Sequence, residues 1–178
     1  MARWIQIFLG VLAATAALIY GVRMVGCGRS VSADKLAQQA LTASPQEQTR
    51  AAATLVSLPE AARREPLRRV IKESTSPPVL STAILGLAGQ WDYDSMPRMM
   101  ELLDNPSPEV RAAAGSAAQR MMSVDYGFHA NDPPEKREIA AAQLRKQWEW
   151  FRGSTKLKRW KERLANGELN GYVPSSNK

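Results

Sequence analysis

One cysteine and one histidine stand in the whole chain, and together they close off much chemistry. Cys27 alone cannot build an internal disulfide framework, and this leaves the redox compartment open. His129 lies far from it in sequence, beyond the central third of the chain. A zinc site of the usual His/Cys spacing is therefore excluded, and a Cys–His nucleophile has no local support. No glycine-rich phosphate loop is present. Aromatic residues make up only 7% of the chain, while alanine is abundant. That balance disfavours a β-sandwich, whose strands want aromatic and β-branched residues, and favours helices packed through small side chains. Asp92, Asp94, Asp125 and Asp132 sit near expected helix ends, where aspartate serves as a cap or turn residue. His129 falls in a polar loop. No catalytic, metal-binding or cofactor-binding residue is assigned, no cofactor is expected, and the chain is read as a non-enzyme.

What the sequence does have is a rhythm. Ser44-Pro45, Ser76-Pro77 and Ser107-Pro108 recur at steps of 32 and 31 residues, each followed by an alanine-rich apolar stretch. Serine suits the N-cap and proline the first helical position. Glu47 and Glu109 fall in the first turn, where the helix dipole favours an acid. Pro66 and Pro97 each precede the next Ser-Pro pair by ten residues, with Asp34 at that offset in the first unit. Each unit thus reads as a first helix, a break and a second helix. Spacings of this size mark stacked supersecondary units, which bury a continuous core only when neighbours pack. The expected core faces are Leu36, Ala40 and Leu41; Ala52, Leu55 and Val56; Leu67, Val70 and Ile71; Val79, Ala83 and Leu87; Met96, Met99, Met100 and Leu103; and Val110, Ala113, Ala114, Ala117 and Met121.

The segment Leu102-Leu103-Asp104-Asn105-Pro106-Ser107-Pro108-Glu109-Val110-Arg111-Ala112-Ala113-Ala114 resembles the repeat core of HEAT and HEAT-like (armadillo-type) proteins, of the membrane-anchored bacterial kind. The likeness is good there and fair over residues 76–89, which lack the arginine. It is loose over residues 44–58, where Arg50 stands one residue out of step. It covers about half the chain. It implies a short right-handed α-solenoid of three helical hairpins, used for protein–protein binding or scaffolding, with Arg111 in a structural role. A minority of the family, the phycobilin lyase type, handles a chromophore, so an enzyme or an accessory subunit is the weaker alternative.

Before the repeats, Trp4 to Val22 is an uncharged run of 19 residues bounded by Arg3 and Arg23. At 1.5 Å per residue it is long enough to cross a hydrocarbon core of roughly 30 Å. Trp4 and Tyr20 lie near its ends, as in an aromatic belt. A single-pass anchor in a bacterial inner membrane is the leading expectation. A cleaved export signal and a lipoprotein signal are the alternatives, the latter because Met24-Val25-Gly26-Cys27 resembles a lipobox that would make Cys27 the lipidated residue. Arg23, Arg29 and Lys35 lean towards a cytoplasmic body. Gly10, Ala14, Ala17 and Gly21 form a small-residue face that would permit a homodimer.

After the repeats the charge concentrates. Residues 136–163 hold ten basic and three acidic residues, a surplus equal to the net +7 of the whole chain. Asp132 is expected to cap a helix running to about Arg152, with Ala141, Leu144, Trp148 and Phe151 as its inner stripe and Ile139, Ala142 and Trp150 elsewhere. A basic helix over residues 155–164 carries Leu157, Trp160 and Leu164 on one side. These helices are read foremost as caps on the repeats. Arg145, Lys146, Arg152, Lys156, Lys158, Arg159, Trp160, Lys161 and Arg163 are candidate contacts to an anionic surface, either lipid or an acidic protein partner. Nucleic acid is a weaker reading, because no recognised binding motif accompanies the charge. Arg63, Arg64, Arg68 and Arg69 are read as a solvated face. The expected divisions are residues 1–30 (anchor or signal), 31–122 (repeats), 123–166 (basic caps) and 167–178 (a disordered tail).

Overall fold

A computed structural model describes residues 32–168. The anchor run, Cys27 and the small-residue face of Gly10, Ala14, Ala17 and Gly21 lie outside the described residues, as does most of the expected tail. The described part is all-α. It contains α1 (Ala33–Thr42), α2 (Pro45–Ser57), α3 (Glu60–Glu73), α4 (Pro77–Gly89), a 3₁₀ turn (Tyr93–Ser95), α5 (Met96–Leu102), α6 (Pro108–Met122), α7 (Pro134–Phe151) and α8 (Thr155–Ala165), with no strand among the described residues. Also among the described residues, no helix is long and apolar enough to cross a membrane.

Ser44, Ser76 and Ser107 are the N-caps of α2, α4 and α6, and each is followed by proline at the first helical position. The reason is partly steric. A residue before proline is pushed out of the α region into extended backbone, which is the conformation an N-cap needs. The capping chemistry differs from the expectation at two of the three. Only Ser44 engages its helix through the side chain: its hydroxyl donates to Glu47 Oε2 at 2.6 Å and its N–H to the same oxygen at 3.3 Å. These bonds hold the Glu47 carboxyl below its ordinary range. Ser76 and Ser107 make no side-chain cap bond. Their own N–H groups are satisfied instead by Ser74 Oγ and Asn105 Oδ1.

Pro66 does not start a helix. α3 begins at Glu60, and Pro66 lies inside it, buried. Its missing N–H forfeits one bond in the ladder. Packing on α1, α2 and α4 carries the helix through.

Helices pack mainly on sequence neighbours and on the next but one. α1 meets α2 and α3; α2 meets α3 and α4; α4 meets α3 and α6; α6 meets α5 and α7; α7 also meets α5. The expected core faces are inside, with Leu41 and Val56 half-buried at the margin. The close approach of α2, α3 and α4 requires Gly86, where a Cβ would lie 2.7 Å from Val56 Cγ2.

Arginines stitch the helix ends together. The last carbonyls of a helix have no partner within it. Arg63 of α3 donates to the carbonyls of Val56 and of Leu58 (3.0 Å) at the end of α2. Arg98 of α5 donates to the Ile71 carbonyl of α3 (3.1 Å). Arg145 of α7 donates to the Met100 carbonyl of α5 (3.2 Å) and pairs with Asp104. Arg111 spends its fork on three carbonyls, those of Asn105 and Pro106 (both 2.8 Å) and of Ala130 (2.8 and 3.1 Å). The rigid five-donor guanidinium suits this task and the lysine ammonium does not.

Candidate functional site

Among the described residues, the exit of α4 is tightly constrained. Asp92 N–H donates to the Leu87 carbonyl and Trp91 N–H to the Ala88 carbonyl, closing a Schellman turn. That turn needs its central residue in the left-handed region, and Trp91 occupies it with φ of 54°. A bulky residue there is strained and persists only when its surroundings over-determine it.

The surroundings are specific. Asp92 is fully buried (0% exposed). Arg68 of α3 grips it with both arms: Nε donates to Oδ2 at 2.8 Å and Nη2 to Oδ1. Ser95 donates its hydroxyl to Oδ2, and Arg64 Nε stands 3.7 Å from Oδ1. Arg68 also reaches Asp94 (2.9 Å) and Glu65 (2.6 Å). Burial works against the Arg68 charge. The hydrogen bonds and field of Asp92, with help from Glu65 and Asp94, outweigh it and push its pKa above its already high ordinary value. The expectation of a solvated arginine face is therefore corrected for Arg64 and Arg68, which turn inward onto a carboxylate 24 residues or more ahead. Arg69 instead reaches Gln38 of α1 and Glu73.

Tyr93 is the hub on the other side of this turn. Its ring lies 5.3 Å from Phe151 and 5.3 Å, edge-on, from Trp160, and its hydroxyl donates to the Met121 carbonyl at 3.1 Å. Trp160 is 5% exposed. It was expected to touch an anionic surface, and that expectation is corrected: Trp160 and Leu157 use the apolar side of α8 to cover Tyr93 and Phe151. The N-cap of this helix is Ser154, whose hydroxyl accepts the Leu157 N–H.

The remaining expected contacts divide. Arg145 is committed to Asp104 and Met100. Arg152 pairs with Glu149 at 2.8 Å, Arg163 lies 3.5 Å from Glu168, and the Lys156 ammonium sits 5.6 Å from the Phe151 ring centre. Lys146, Lys158, Arg159 and Lys161 are exposed and have no ion pair among the described residues.

α7 carries a second feature. Its inner stripe of Ala141, Leu144, Trp148 and Phe151 is buried as expected. Its outer face exposes Ile139 (64%) and Trp150 (70%), with Gln143 and Lys146 between them at helical spacing. Beside that face runs an open groove of about 520 Å³, lined by Tyr126, Gln143, Lys146, Gln147 and Trp150. Tyr126 Oη and Gln147 Oε1 lie 3.1 Å apart, so the loop is tied to the helix along the groove floor.

The aspartates serve the backbone and its cations. Asp125 accepts the Gly127 N–H at 2.8 Å, and Asp94 pairs with Arg68. Asp132 is not the N-cap of α7. That place falls to Pro133, and Asp132 instead pairs with Lys136 at 2.9 Å. His129 is exposed. Among the described residues no group of His, Cys, Asp and Glu has the arrangement of a metal site. The buried Asp92 cluster escaped the sequence reading because its partners are remote and follow no period. The exposure of Trp150 had a signal, since it lies off the inner stripe of its helix. Neither a protein-family model, nor a curated protein, nor a solved structure matches the chain.

Proposed function

We propose that this chain is a HEAT-like α-solenoid of three hairpins, tethered to a membrane by its N-terminal apolar run, that binds a partner protein without catalysis. The observation that carries the reading is the agreement between repeat step and packing. α2, α4 and α6 begin at the recurring Ser-Pro pairs and pack on one another in order. α4 and α6 also end alike. Trp91 and Ser123 both have positive φ, and both are followed by an N–H bonded back to the last turn. Units repeated this closely present repeated outer faces, the usual working surface of such stacks. On the middle helix of the row, Leu85 is 54% exposed. The tether rests on the sequence of residues 4–22, and the family likeness on residues 102–114.

A photo-crosslinking residue at Leu85, introduced into the full chain in membranes of its native cell, tests this reading. The expected result is one discrete protein adduct, weakened by substituting exposed residues of the flanking helices, such as Ala53 of α2 or Ala112 of α6. Absence of an adduct from the crosslinker at Leu85, at Ala53 and at Ala112 would overturn it.

A further inference from the structure

We infer that the outer face of α7, together with the unpaired cations of α8, seats the domain on an anionic lipid surface. This deepens the reading above and rests on its membrane tether. Ile139, Lys146 and Trp150 follow one another at i, i+7 and i+11, which places them on one side of α7 over about 16 Å. Ile139, Trp150 and Leu85 are the large hydrophobic side chains exposed among the described residues, and two of the three share this face. Tryptophan and lysine are the side chains that favour the headgroup level, where an amphipathic ring and an ammonium on a flexible stem each keep a polar end wet.

Charge selects the occupant. Lys146, Lys158, Arg159 and Lys161 carry no intramolecular partner among the described residues, so their counter-charge comes from outside. A second copy of this chain would bring two strongly basic ends together and is disfavoured. Lys146 lines the groove of α7, while Lys158, Arg159 and Lys161 stand on α8; cations spread over two helices fit a field of headgroups better than the compact acidic patch of one protein. α8 does not insert its apolar side into lipid, because Leu157 and Trp160 are spent on the core. The contact is therefore shallow, electrostatic and sensitive to salt. Such a contact is weak alone. It suffices for a tethered body, since only ten residues separate Val22 from the first described helix, about 33 Å of fully extended chain.

The test uses the full chain carrying Cys27→Ser and Gln143→Cys, labelled at position 143 with an environment-sensitive fluorophore. It is reconstituted into phosphatidylcholine vesicles with and without phosphatidylglycerol. A blue shift is expected only with phosphatidylglycerol. High salt should reverse it, and the triple substitution Lys158→Gln, Arg159→Gln, Lys161→Gln should largely abolish it. Trp150→Ala should reduce it, with far-UV circular dichroism unchanged in all variants. Equal emission in the two vesicles, or a shift indifferent to the triple substitution, overturns the inference, and a protein partner then becomes the occupant. Alkaline extraction separates the two readings. A chain that resists extraction but shows no shift sinks the lipid contact and spares the tether. A chain that is stripped from neutral vesicles sinks the tether. Flotation of that same chain with anionic vesicles at low salt then decides the contact: co-flotation supports it and failure to float overturns it.

Discussion

Replacing Asp92 by asparagine removes one charge and almost no volume, so it isolates what the buried ion pair does. In the native protein the carboxylate has no exposed surface and takes two bonds from Arg68 and one from Ser95, with Arg64 alongside. The amide keeps one acceptor oxygen but turns an NH₂ group towards a guanidinium that can only donate. Arg68 is left partly buried, with only the more exposed Asp94 and Glu65 to balance it. Removing one member of a buried pair costs roughly 3–5 kcal/mol. Arg68 retains some access to water, which places the expected loss near the lower bound, about 3 kcal/mol. Domains of this size are stable by only about 5–15 kcal/mol, so the effect is large. Urea unfolding followed by far-UV circular dichroism, on the chain from residue 31 onward, would show a lower midpoint at unchanged slope. A second arm tests the link to the strained turn. If Asp92 holds Trp91 in its left-handed conformation, Trp91→Gly should relieve part of the Asp92→Asn penalty, with an interaction energy above about 0.5 kcal/mol. A loss below about 1 kcal/mol for the single variant would put Asp92 with ordinary surface pairs and refute the reasoning.

Gly115→Ala should destabilise in spite of alanine's better helix propensity, because the new Cβ would lie within 2.7 Å of Phe128 Cε1. The gain of about 1 kcal/mol from propensity is outweighed by overpacking of about 1–3 kcal/mol, and a raised thermal midpoint would show that the Phe128 ring is placed wrongly. Ser123→Gly should stabilise by about 0.5–1 kcal/mol, since Ser123 holds a φ of 58° that glycine adopts without strain; the same urea titration reads it, and a loss would mean that the serine side chain has a role in the turn. Glu47 is held below its ordinary value of 4.5, first by the Ser44 hydroxyl and then by the Ser44 N–H. Its contribution is present above that ordinary value and is lost as pH falls through the lower folded one. Glu47→Gln should therefore flatten the acid limb of the stability profile slightly, and an unchanged limb would deny the cap its role.

How far the sequence reading reached depends on whether a feature is local. The Ser-Pro starts, the inner stripes of the helices and the all-α class rest on residues within one or two turns of one another, and all are found. Pro66 misled because a rule about isolated helices was applied where neighbouring helices decide the outcome. Arg64 and Arg68 read as solvated when only their sequence neighbours are considered; their partner, Asp92, arrives only when α4 has folded back. For Trp160 the charge around it allows a surface contact and its place on the apolar side of a cap allows the core; the edge-on partner Tyr93, remote in sequence, decides for the core. The tail was expected to begin at Gly167. Gly167 and Glu168 instead form the capping turn beyond α8, with φ of 70° at the glycine and the N–H of Glu168 returned to the Arg163 carbonyl at 2.9 Å.

The arginine stitches carry an implication for how the chain is made. Arg63, Arg98 and Arg145 all reach backwards, to carbonyls of helices already synthesised. For these three bonds the acceptor is already made when the arginine leaves the ribosome, whereas Arg68 of α3 and Arg111 of α6 wait for Asp92 and Ala130. Assembly can run hairpin by hairpin, each new unit also closing contacts that the previous one left waiting. The closing event is the long return of α8, which seats Trp160 against Tyr93. A released chain cut before Thr155 would lack α8 alone and leave Tyr93 and Phe151 without the cover of Trp160.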